Sequence, residues 1–134
     1  MRKSMIFICF IVLLISFVGC GKDKSFEVVD EASQIKSNSE GVDFEGSVSF
    51  DGETVPFNRV YDDVNNEKDF KERRMYYKDE QLQFVSWDKN NDGMKDFWIR
   101  MVDGEYADLQ MEDTDFDGKV DIVTKFDSKG RIIQ

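Results

Sequence analysis

The chain has 134 residues, 28 acidic against 18 basic side chains, a net charge of -10 at pH 7 and no histidine. Such a surface repels nucleic acid and anionic lipid and attracts divalent cations. With no histidine, only two cysteines, no Gly-x-Ser-x-Gly and no glycine-rich phosphate loop, most nucleophilic and transition-metal chemistries are excluded. Carboxylate-pair hydrolysis needs two acids about 5 to 9 Å apart and a concave pocket, which a small β-domain has little material to build. The chain therefore reads as a non-enzyme.

At the N-terminus, Arg2 and Lys3 precede an apolar run from Met5 to Val18, broken only by Cys9 and Ser16 and followed by Gly19-Cys20. As a helix this run reaches about 21 Å, short of the roughly 30 Å hydrocarbon core, so it reads as an export signal and not a retained span. Phe17-Val18-Gly19-Cys20 resembles the lipobox of bacterial lipoproteins, with Phe17 where Leu is usual. The resemblance implies a signal peptide over residues 1–19, cleavage before Cys20 and acylation of that cysteine with palmitate-type chains. Several chains anchor a protein stably. It further implies a membrane-bound envelope protein, sorted to the outer membrane where the source has two, because Gly21 and not Asp follows the cysteine. Cleavage would remove Cys9 and commit Cys20 to lipid, leaving no thiol for a disulfide in a mature chain of charge -12.

Residues 20–41 are mostly polar, with scattered Phe26, Val28, Val29 and Ile35. They read as a tether spanning roughly 25 Å, with a short helix over Glu27–Gln34 as the alternative.

From residue 42 to 134, short apolar or alternating runs rich in Phe, Val, Ile, Trp and Tyr are separated by turn residues. This predicts an all-β domain, an antiparallel up-and-down meander of about eight strands. The expected strands are Val42–Phe50, Thr54–Tyr61, Asp69–Tyr77, Gln81–Trp87, Lys95–Val102, Glu105–Glu112, Lys119–Phe126 and Arg131–Gln134. Short turns at Asp51-Gly52, Lys78-Asp79-Glu80, Asp103-Gly104 and Asp127–Gly130 alternate with long loops beginning at Asp62, Asp88 and Asp113. In a meander the long loops then share one end. The expected core is Phe84, Trp87, Phe97, Ile99, Met101, Leu109, Phe116, Ile122, Val123 and Phe126.

Two of the long loops share one acidic pattern, Asp88-Lys-Asn90-Asn-Asp92-Gly93-Met-Lys-Asp96 and Asp113-Thr-Asp115-Phe-Asp117-Gly118-Lys-Val-Asp121, whose first residues stand 25 apart. They mark a repeating hairpin unit. Oxygen ligands at positions 1, 3 and 5, glycine at 6 for the bend and a carboxylate at 9 form a loop that wraps a hard cation such as calcium. The first loop offers Asp88, Asn90, Asp92, Asp96 and the Met94 carbonyl; the second offers Asp113, Asp115, Asp117, Asp121 and the Lys119 carbonyl. With one more negative ligand, the second is expected to bind more tightly.

The pattern resembles the Asp-x-Asp-x-Asp-Gly-x-x-Asp loops of extracellular calcium repeats, including thrombospondin type 3 repeats, over about residues 61–134. It departs from an EF-hand, because Ile99 and Thr124 stand at position 12 and the flanks are β-formers. Without a bidentate ligand there, affinities of roughly 10⁻⁴ to 10⁻³ M are expected. A third loop, Asp63–Asp69, keeps the period but lacks the glycine and reads as a decayed copy. The competing reading is that Asp, Asn and Gly are simply common turn residues. These features predict a structural or adhesive envelope protein, with an exposed aromatic surface binding a glycan or protein partner as the alternative. Tyr61, Tyr76, Tyr77, Trp87, Trp98 and Tyr106 are the candidates for such a surface, although alternating aromatics more often form core.

Overall fold

A computed structural model of the chain describes residues 26–63 and 73–134. The expected signal peptide, Cys20 and the Asp63–Asp69 loop past its first residue lie outside the described residues. Eight strands form one antiparallel sheet in strict sequence order: β1 Val28–Asp30, β2 Val42–Phe50, β3 Glu53–Asp63, β4 Arg73–Lys78, β5 Gln81–Trp87, β6 Phe97–Val102, β7 Tyr106–Glu112 and β8 Ile122–Lys125. The protein is an all-β meander, curled into a half-barrel.

Two of the short turns, Asp51-Gly52 and Asp103-Gly104, take the hairpin geometry that Asp-Gly favours, and Asp79-Glu80 takes it without a glycine. All three have positive φ at both residues, which matches the twist of the flanking strands. Strand alternation then sorts side chains between faces. One inner row runs Val60, Tyr76, Phe84, Arg100, Leu109 across β3 to β7, and a second runs Asp62, Arg74, Ser86, Trp98, Met111, Val123 across β3 to β8. With Val48, Phe50, Phe57 and Ala32, the apolar members of these rows make the buried core.

The register reverses part of the expected core. Phe84, Leu109 and the partly buried Val123 do face inward, but Trp87 and Phe97 stack edge-to-face on the outer surface at 5.3 Å, while Trp98 and Met111 take the inner positions. Ile99 and Met101 are half-buried, as is Phe126, and Phe116 and Ile122 are exposed. A one-residue choice of face exchanges every side chain in a strand, and apolar residues occur on both faces of β5 and β6.

Residues 26–41, expected to act as tether, belong to the fold. β1 pairs with β2, Phe26 stacks on Phe50 at 6.3 Å, and Phe26 also bridges to Val120 beside β8. The N-terminal segment thus touches both ends of the meander. Arg74, inside the sheet, donates to the carbonyls of Ala32 and Ile35 while ion-paired to Asp62 at 2.6 Å. The alternative of a helix over Glu27–Gln34 is also replaced. The Asp30 carboxylate accepts the Ala32 N–H at 2.8 Å, and Ser33 and Ile35 donate to carbonyls three residues back, which makes a turn.

At the C-terminus, the strand expected over Arg131–Gln134 is reduced to a bridge between Phe126 and Ile132 plus two hydrogen bonds with Lys125. The Asp127 carboxylate captures both the main-chain and side-chain nitrogens of Arg131, which holds a turn where a strand would begin. The eighth strand is instead β1. β6 and β8 start later than expected, at Phe97 and Ile122, because Asp96 and Asp121 belong to the preceding loops.

Candidate metal centre

The two acidic loops repeat each other in the main-chain N–H groups that their side chains accept. In the first, one Asp88 oxygen accepts the N–H groups of Asn91 and Asp92 at 2.6 and 3.2 Å, and the other accepts Gly93 N–H at 2.8 Å. In the second, Asp113 accepts Phe116 and Asp117 through one oxygen at 2.7 and 3.3 Å, and Gly118 through the other at 2.8 Å. Asn90 and Asp115, at position 3, each accept the N–H of position 5. Position 5 in turn accepts the N–H of position 7, Met94 or Lys119, at 2.8 and 2.9 Å. Asp96 and Asp121, at position 9, accept the N–H of position 2 at 2.8 Å in both loops. Their own N–H groups return to the carbonyls just before the loops, Trp87 and Glu112.

This geometry has a local cause. A residue with positive φ at position 4, Asn91 or Phe116, and a positive-φ glycine at position 6 wind the main chain so that successive N–H groups point inward at the first aspartate. The first aspartates are 1 % exposed and serve as the hubs of their loops. An ionised carboxylate has about four lone-pair sites, so three N–H donors leave capacity for a cation.

The loops differ at position 3. Asp113, Asp115 and Asp117 bring carboxylate oxygens within 4.8 Å of one another, and the last two side chains are exposed. In the first loop Asn90 takes the place of a carboxylate and donates its amide to Asp92 at 2.8 Å. Negative charge therefore accumulates in the second loop, where local desolvation and the nearby charges of Asp117, Asp121 and Asp113 raise the pKa of Asp115. In the first loop, the Met94 N–H and the Asn90 amide lower that of Asp92. Lys119 lies 3.7 Å from Asp117 and offsets part of the charge.

The ninth positions also differ. Asp96 is buried, and that burial, followed by its like-charged neighbours Asp88 and Asp92, raises its pKa against the hydrogen bonds from Lys89 and Asn90. Asp121 is exposed and held in the opposite direction by Thr114, whose hydroxyl and N–H both donate to it, at 2.6 and 2.8 Å. Thr114 was not among the sequence candidates; a hydroxyl residue at position 2 of an acidic loop is the signal for it.

The structure places all ten candidate residues in two adjoining loops, joined where the Asp113 N–H donates to the Asp96 carbonyl at 2.8 Å. Of the third loop, only Asp63 is described, ion-paired to Arg73 at 2.5 Å. No family model, curated protein or solved structure matches this chain. The functional reading therefore rests on the loops and on the sequence of the N-terminus. Three clustered carboxylates that repel one another are suited to a divalent cation.

Proposed function

We propose that the protein is a lipid-anchored component of a bacterial cell envelope, held to the membrane through Cys20, with calcium bound in the two acidic loops stabilising the β-meander. Its role is structural or adhesive and non-catalytic, with an envelope protein or glycan as the expected partner. The observation that carries the metal reading is the cluster of Asp113, Asp115 and Asp117 within a loop pattern that recurs at 88–96. Turn-forming preference accounts for the bonds that positions 3 and 5 accept from two residues on, whereas the gathering of three carboxylates within 4.8 Å in the second loop is what favours a cation. Support for the anchor comes from the apolar run and Phe17-Val18-Gly19-Cys20.

Calcium in loops that join consecutive strands stabilises the folded state, because only that state presents the ligands together. Thermal melting of the purified protein in EDTA and then in millimolar calcium tests this: a rise with calcium that magnesium reproduces poorly is expected, and superimposable melts overturn it. Labelled palmitate incorporation that disappears in Cys20→Ser is expected for the anchor; labelling that persists in the variant refutes it.

A further inference from the structure

A groove of about 760 Å³ is lined by residues of β2, β3 and β4, among them the outward-facing Arg59, Tyr61 and Tyr77 and the core-packed Phe44. Beside it, β2 carries a register shift between Asp43 and Gly46, of the kind that bends a strand. Phe44 packs against Phe57, and its neighbours Asp43 and Glu45 are left at the rim with side chains 82 % and 79 % exposed. The floor carries Tyr61 and Tyr77, whose rings meet edge-to-face at 5.2 Å. The β4–β5 turn adds Asp79 and Glu80.

One lining residue shows how the groove holds a guanidinium. The Arg59 guanidinium lies 5.2 Å from the Tyr61 ring centroid, and it is ion-paired to Asp43 at 2.9 Å and bonded to the Glu40 carbonyl at 3.1 Å. Aromatic ring, carboxylate and carbonyl together form a guanidinium site. The remaining lining repeats the same elements with no second arginine: the Tyr77 ring, Glu45 with Lys78 no closer than 3.5 Å, and Glu80. With Arg59 on Asp43 and Lys78 on Glu45, two cations face four acids, so the charge that complements this surface is still positive.

We propose that this groove binds an arginine-bearing peptide segment of a partner protein, a guanidinium lying against Tyr77 and pairing with Glu45 or Glu80. The size suits a ligand of a few residues. The site shares no residue with the acidic loops and does not depend on their binding calcium.

The test is fluorescence anisotropy of a labelled tetra-arginine peptide with the full chain in nonionic detergent, at physiological ionic strength and in EDTA. Saturable binding is expected, weakened about three- to fivefold by Tyr77→Ala and by the surface pair Glu45→Gln/Glu80→Gln. A charge-matched pair away from the groove, Glu27→Gln/Asp51→Asn, should leave it unchanged. Equal weakening by both pairs would mean diffuse attraction to an acidic protein and would overturn the proposal. So would tighter binding of tetra-glutamate, or of a neutral tetrasaccharide competing for the groove. The glutamine pair is confined to exposed side chains, so it remains informative if Tyr77→Ala unfolds.

Discussion

The Asp113 N–H donates to the Asp96 carbonyl at 2.8 Å, so the second acidic loop opens on the residue that closes the first. Asp96 is the ninth position of one loop and Asp113 the hub of the next, and a shift in either reaches the other through a single hydrogen bond.

The second loop is expected to dominate calcium binding, because its third position is Asp115 where the first has Asn90. At free calcium ten times the dissociation constant, one site adds about 1.4 kcal/mol, or about 5 °C in melting temperature. Asp117→Ala should remove most of that rise and Asp92→Ala less than half. Calorimetric melts with and without calcium check the ranking, and the reverse order would disprove it.

Gly118 has φ +87° and its N–H donates to Asp113, while a Cβ added there would meet no other atom. Gly118→Ala therefore isolates the backbone cost. It should destabilise the protein by about 1 kcal/mol and weaken calcium binding. Urea unfolding and calcium titration measure the two effects; an unchanged affinity would show that the loop's winding does not position the ligands.

The N-terminal segment is expected to contribute more than its few apolar residues suggest, because Arg74 is buried with its donors directed at Asp62, Ala32 and Ile35. Arg74→Met would keep the stem but strand the Asp62 charge and two carbonyls, at a cost of about 3 kcal/mol. A fragment starting at residue 42 should lose cooperative unfolding that a fragment starting at residue 26 retains. Equal denaturation curves for the two fragments would contradict this.

Asp30 supplies the pH dependence of the same junction. Burial raises its pKa, against hydrogen bonds from the Tyr76 hydroxyl and the Ala32 N–H and the charges of Arg74 and Lys95. In the window from the ordinary value of 3.8 up to the raised one, the folded state holds more protons than the unfolded state, so this group's contribution falls as pH rises. Asp30→Asn keeps the acceptor for Ala32 and should flatten the profile there. Subtracting the variant's stability from that of the parent between pH 4 and neutrality reads the effect directly; a difference that grows with pH would reverse the assignment.

Much of this molecule is written in local chemistry. Asp-Gly pairs such as Asp51-Gly52 and Asp103-Gly104 announce their hairpins, and the alternate spacing of Asp113, Asp115 and Asp117 announces the carboxylate cluster they form. Positions such as Thr114 were less legible, since a threonine after an aspartate is unremarkable until its hydroxyl is seen fastening Asp121. Which face of β5 and β6 points inward was not legible at all: Trp87 and Trp98 are equally apolar, and only the sheet register separates them.

By itself the sequence determined what depends on neighbours along the chain: the all-β class, the meander order, the short turns and the composition of the two loops. Turn and strand preferences act over a few residues, so they survive without knowledge of the rest. Tertiary structure alone decided the inward face of each strand, the incorporation of residues 26–41, the bridge from Phe26 to Val120 and the groove around Tyr61 and Tyr77. Each of these joins residues distant in sequence, and their energies depend on burial and charge pairing that exist only once the sheet has curled.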